Sequence, residues 1–220
     1  MQSEGNTDYK STDKVNILLV EDQKIVQKML ESIIEKNKRY NLVSSIENAA
    51  LSEMYCAKGN VDLIIMDIFT YQRESGLEAA KKIKSYYPNI KIIIVTSMPD
   101  YSFIDKAKEY GCEGFWYKDG DIEEFSAIVE KILSGEKIFP TSTPILKIGL
   151  ANSDEFTKKE LEVLKEMING YSPKEICERL NIAKSTFNYH VNNLLFKTGY
   201  DNKLKLIIDV TDKNLIIPGF

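Results

Sequence analysis

The chain has 220 residues, 43% hydrophobic and 28% charged with 11 Gly and 6 Pro, which excludes disordered and fibrous classes and leaves room for two modest domains, each with its own core. Its formal net charge is -4, and because residues 151–220 hold 10 Lys+Arg against 10 Asp+Glu, the acidic excess lies wholly in residues 1–150 and a uniformly basic nucleic-acid binder is excluded. Cys56, Cys112 and Cys177 are widely spaced and odd in number, so neither a disulfide framework nor a zinc site is expected, and a reducing cytoplasm fits.

Residues 1–13 are polar and aperiodic and read as a flexible leader rather than a signal peptide. No apolar run approaches the ~20 residues of a membrane span, so a soluble cytoplasmic protein without membrane contact is expected. From Val15 onward, compact apolar runs alternate with amphipathic stretches. VNILLV precedes a helix over 25–36, and NLVSSI precedes 49–56. DLIIMDIF precedes 76–86, KIIIVTS precedes 102–110, and GFWY precedes 121–133. Five strand-helix units with continuous Ile/Leu/Val runs predict a doubly wound, five-stranded parallel sheet of order 2-1-3-4-5, an α/β fold. The Pro- and Gly-interrupted stretch 135–153 reads as a linker. Four helical patterns follow, over 158–168, 173–180, 184–198 and 202–209, and predict a second, all-α domain. The division is therefore leader 1–13, first domain 14–134, linker 135–153 and helical domain 154–220.

In an open parallel sheet, ligands bind at the carboxyl ends of the strands. Glu21 and Asp22 follow the first strand and Asp67 ends the third, so three acids share one edge. Such crowding of like charge calls for a cation, and oxygen ligands suit Mg²⁺. Thr96 and Lys118 end the next two strands and add a hydroxyl and an ammonium to the same rim. With Asp67 as nucleophile for a phosphoryl group, the metal and the lysine would neutralise the developing charge.

This set resembles the receiver domain of two-component systems. The resemblance implies Asp67 as phosphoacceptor, Glu21, Asp22, Asp67 and the backbone carbonyl of Phe69 as metal ligands, and Thr96, Phe115 and Lys118 as the switch and phosphate-pairing residues. Two departures stand out. No proline follows Lys118, and IFTYQRESG after Asp67 reaches Gly76 one residue late.

FTKKELEVLKEMINGYSPKEICERLNIAKSTFNYHVNNLLFKTG resembles the helix-turn-helix domain of NarL/FixJ (LuxR-type) regulators. Ile176, Leu180, Ile182, Phe187, Val191 and Leu194 recur at helix-face spacing and are expected to form one small core, with Lys184, Ser185, Asn188 and Asn192 opposite them. The DNA-binding set expected is Lys184, Ser185, Thr186, Asn188, Tyr189, His190, Asn192 and Lys197. Ala183 leaves the recognition helix without a side-chain cap.

The reading is a non-enzymatic, DNA-binding regulator phosphorylated by a histidine kinase. The resemblance implies a homodimer on a pseudo-palindromic operator, with RNA polymerase as a further candidate partner. The alternatives are a regulator of the same fold that works without phosphate, an Asp-nucleophile phosphatase, and, for the helical domain, a protein-interaction module. Phe69 stands where such phosphatases place a proton donor.

Overall fold

The structure, a computed structural model, describes residues 14–219; the expected leader lies outside them. The chain divides into two compact units, the first ending at Thr96 and resuming over Ala107–Phe139, the second made of Ser97–Lys106 and the described residues from Pro140 onward.

In the first unit, β1 (Val15–Val20), β2 (Tyr40–Ile46), β3 (Leu63–Asp67), β6 (Lys91–Thr96) and β7 (Gly114–Tyr117) form the expected sheet, all parallel, in spatial order β2-β1-β3-β6-β7. Strand alternation sends Ile17, Leu19, Leu63, Ile65, Ile93, Val95 and Trp116 to one face. There they pack on Leu30 and Ile34 of α1 (Lys24–Lys36) and Phe125, Val129 and Ile132 of α5 (Ile122–Leu133). Their neighbours Leu18, Val20, Ile64, Met66, Ile92, Ile94 and Phe115 are also buried, so both faces are covered, as the unbroken apolar runs require. The intervening helices are α2 (Ser52–Cys56) and α3 (Gly76–Tyr86); α4 (Phe103–Glu109) starts among the residues of the second unit and ends among those of the first. The ordered chain also continues past the expected boundary at 134, since Ile138 bridges to Gly114 and its carbonyl accepts from the Phe115 N–H.

The late arrival of Gly76 has a structural cause that the sequence reading did not supply. Two short antiparallel strands, β4 (Phe69–Thr70) and β5 (Glu74–Ser75), form a hairpin between Asp67 and α3. The Thr70 hydroxyl accepts from Ala49 N–H and donates to the Glu74 carbonyl, which ties the hairpin down. Its turn holds Gln72 and Arg73 at φ 63° and 62°, a left-handed conformation that costs about 1–2 kcal/mol at each non-glycine residue.

In the second unit, α6 (Lys158–Ile168), α7 (Pro173–Leu180), α8 (Lys184–Thr198) and α9 (Lys203–Asp212) match the four helical patterns. Reciprocal capping boxes, Thr157 with Glu160 and Ser172 with Glu175, start α6 and α7. Ala183 provides no side-chain cap for α8, as expected.

Two expectations are corrected here. The residues expected to share one core divide between two clusters: Ile176, Phe187 and Val191 gather with Val163, while Leu194 joins Leu161, Leu164, Leu206 and Val210. The stretch read as linker is ordered in its second half, where β8 (Lys147–Ile148) and β9 (Ala151–Asn152) form a hairpin whose Ile148 and Ala151 are buried in the larger cluster. Gly149 permits this, because at φ +58° an added Cβ would come within 2.2 Å of the Thr198 carbonyl oxygen.

Candidate functional site

Parallel pairing of β1 with β3 and of β3 with β6 brings the ends of three adjacent strands together, so Glu21, Asp22 and Asp67 meet at one edge of the sheet. One carboxylate oxygen from each can be chosen so that all lie within 4.8 Å of one another. Asp67 and Glu21 are buried and Asp22 is half-buried. The loop after β1 is fixed through backbone bonds: the Glu21 N–H donates to the Ile46 carbonyl, and the Gln27 side-chain amide donates to the Glu21 carbonyl.

Lys118 enters from the end of β7. Its ammonium donates to Asp67 Oδ2 at 2.7 Å and lies 2.6 Å from Glu21 Oε2, with all three side chains at most 4% exposed. Glu21 Oε1 accepts from the Gln23 N–H, and Oε2 is ion-paired with Lys118. One ammonium therefore faces two buried carboxylates, with Asp22 beside them. Burial first, and the Glu21 charge second, raise the Asp67 carboxyl well above the ordinary carboxylate range, although Lys118 opposes both. Three carboxylates with oxygens within 4.8 Å of one another and a single ammonium among them fit a hard divalent cation with oxygen ligands.

The switch residues occupy the adjoining edge. Thr96 ends β6, is 1% exposed, and offers its carbonyl to the Lys118 N–H at 2.9 Å. Phe115 is buried edge-on against Tyr117, with ring centroids 5.1 Å apart. Phe69 begins the β4–β5 hairpin, in register with Ser75. Gly76 is a site residue whose role sequence reasoning missed. A Cβ there would fall 1.8 Å from the carbonyl oxygen of Asp67, so the chain can turn into α3 this close to the acceptor only through glycine.

In the second unit, α8 buries Phe187, Val191 and Leu194 and exposes Lys184, Ser185, Asn188, Tyr189 and Asn192. Thr186 and His190 are half-buried, and the His190 ring meets Tyr189 edge-on at 5.6 Å. Lys197 stands apart from the other residues expected to touch DNA. Its ammonium donates to Glu160 Oε2 and to the Glu155 carbonyl, each at 2.8 Å, and so is engaged within the unit.

The family described as response regulator receiver domain matches residues 17–130, just over half the chain. The chain belongs to the response regulator receiver family. A second match, over residues 154–209, is to the bacterial regulatory proteins of the luxR family. This response regulator is 28% identical over 207 residues to the uncharacterized transcriptional regulatory protein YxjL of Bacillus subtilis, covering 89% of this chain and 94% of that one. It is 26% identical over 198 residues to the Fimbriae Z protein of Escherichia coli K12, covering 87% and 94%. Among solved structures, RcsB dimers bound to DNA share the fold at TM-score 0.62 and 21% identity, covering 90% of this chain and 98% of that one. A LuxR-family response regulator from Aurantimonas matches at TM-score 0.53 and 27% identity, covering 57% of this chain and 89% of that one. No described helix is long and apolar enough to cross a membrane.

Proposed function

We propose that this two-component transcriptional regulator accepts a phosphoryl group on Asp67 from a partner histidine kinase, and that the acceptor state governs how a homodimer uses α8 to read DNA. The observation that carries the reading is the buried Asp67 carboxylate, held by Lys118 beside the carboxylates of Glu21 and Asp22. Glu21, Asp22 and Asp67 would hold Mg²⁺, with the Phe69 carbonyl as a further ligand, and the ion would supply charge neutralisation. Asp67 forms the new bond to phosphorus while the bond to the donor nitrogen breaks, and the Lys118 ammonium is placed to pair with the incoming oxygens. Thr96, on the strand beside the acceptor strand, and Phe115, on the strand beyond it, are the groups that would respond.

On the DNA side, Lys184, Ser185 and Thr186 open α8, and Asn188 and Asn192 lie one turn apart on its exposed face. Asparagine can make paired hydrogen bonds to adenine N6 and N7. Adenine-containing half-sites are therefore expected, with Tyr189 and His190 flanking the reading face.

The test of the acceptor is intact mass after incubation with Mg²⁺ and acetyl phosphate. One phosphoryl group is expected on the wild type and none on Asp67→Asn. A phosphoryl group retained on Asp67→Asn overturns the assignment, and continuous hydrolysis of acetyl phosphate without an accumulated adduct favours the phosphatase reading.

A further inference from the structure

A cavity of about 460 Å³ is lined entirely by residues of the first unit. Its walls are the β4–β5 hairpin with its turn, α3, the start of α2 and the helical turn Ala49–Leu51 that leads into α2. The volume falls in the roughly 300–1,000 Å³ range of small-molecule sites. None of the lining residues belongs to the acidic site around Asp67. Ala49, Ala50, Ala79 and Ile83 supply the apolar part of the lining, and Glu53, Arg73, Glu74, Glu78 and Lys82 supply its charge.

These charges do not answer one another. Lys82 is ion-paired with Glu53, from α3 to α2, at 2.5 Å. Glu78 accepts one bond, from the Tyr110 hydroxyl to Oε1 at 3.1 Å. The side chains of Arg73 and Glu74 have no partner among the described residues. With the Lys82–Glu53 pair set aside, a guanidinium and two carboxylates border the cavity without a counter-charge. The turn itself gives no reason for arginine at 73. Its φ of 62° suits glycine better than any side chain, and non-glycine residues held in this region cluster at ligand clamps.

We propose that this cavity is a ligand site for a free α-amino acid with a cationic side chain, its carboxylate on Arg73 and its two cationic groups toward Glu74 and Glu78. The chemistry follows from the charges left over. A guanidinium is a planar fork that takes a carboxylate through a bidentate pair. Two carboxylates without a cation call for two positive groups on the ligand, and the apolar stem between those groups can lie against the alanines. The ligand's single net positive charge also balances a lining in which the carboxylates Glu53, Glu74 and Glu78 outnumber the cations Arg73 and Lys82. An acidic amino acid would bring a second anion toward Glu74 and Glu78, and an apolar one would leave a carboxylate unanswered. The site is independent of the phosphoacceptor reading, since it uses none of that site's residues.

The test is calorimetric titration of L-arginine and L-lysine into the full chain, where saturable binding at one site per chain is expected. Agmatine, which is arginine without its carboxylate, and L-leucine, which lacks the second cation, are each expected to bind about tenfold more weakly, the scale of one hydrogen bond to a charged group. L-Glutamate is expected not to bind. Arg73→Gly and Glu74→Gln should each weaken L-arginine about tenfold. Arg73→Gly should at the same time be no less stable in urea than the wild type, because glycine suits the turn; a merely structural arginine would not separate the two readouts in this way. The proposal is overturned by the absence of saturable binding of both basic amino acids, by agmatine binding as tightly as L-arginine, or by both variants binding L-arginine like the wild type.

Discussion

Replacing Lys197 with alanine tests a residue whose sequence and structural readings diverge. The sequence assigns its charge to DNA, whereas the structure pairs it with Glu160, whose side chain is 2% exposed against 27% for Lys197. Removing one partner of a buried pair costs roughly 3–5 kcal/mol. Here the Thr157 N–H still donates to Glu160 at 2.8 Å and the lysine is partly solvated, so about 2 kcal/mol is expected. The pH dependence has a definite sign. Burial acts to raise the Glu160 carboxyl, but the bonds from Lys197 and Thr157 outweigh it and leave the group below its ordinary value. A carboxyl depressed by folding contributes stability that is fully present above its unfolded pKa, about 4.3, and lost as pH falls through the lower folded value. The deficit of Lys197→Ala relative to wild type should therefore be largest near neutrality and close below about pH 4. Urea unfolding followed at the amides of the buried residues Val163 and Leu194 measures it. A DNA titration at several salt concentrations supplies the second half of the test, since loss of a phosphate contact would flatten the salt slope by about 0.9. A variant of wild-type stability with a flattened slope would refute a stabilising internal pair and support the DNA role.

Gly76→Ala should destabilise the first unit by several kcal/mol and abolish phosphorylation, because the added methyl overlaps the Asp67 carbonyl; Trp116 fluorescence in denaturant and intact mass read the two effects. Lys118→Ala should slow phosphorylation by acetyl phosphate while leaving Asp67 as the acceptor, and a rate equal to wild type would remove the lysine from the charge-neutralising role. Asn188→Ala should relax base preference at one position by about 1–3 kcal/mol with little change in salt slope, as read by selection from a random duplex library. Preference left intact would instead favour a protein-interaction role for α8.

Much of the architecture was legible because long, strongly periodic segments dominate it. Unbroken runs such as Ile92–Val95 require two covered faces, and α3 spans 76–86 as read, with Ser75 capping its start. The acidic site was equally legible, since strand ends in a parallel sheet converge whatever the loops do. Loop chemistry was less so. The β4–β5 hairpin uses two-residue strands and turns through Gln72 and Arg73 rather than through Asn or Gly, so it carries none of the usual turn signals. The β8–β9 hairpin sits in a Pro- and Gly-rich stretch, and only the burial of Ile148 and Ala151 distinguishes it from a linker. Charge alone could not assign Lys197, because an ammonium suits an internal carboxylate as well as a phosphate. The Thr157-x-x-Glu160 box marked where such a carboxylate would be held.

The central claim, that the state of Asp67 governs DNA binding by α8, is tested most directly by the DNA affinity of the full chain before and after stoichiometric phosphorylation, with Asp67→Asn treated in parallel. Duplexes selected from a random library are the probe, and salt is held fixed. The account predicts tighter binding for the phosphorylated wild type and no change for Asp67→Asn; equal affinity of the phosphorylated and unphosphorylated wild type would contradict it.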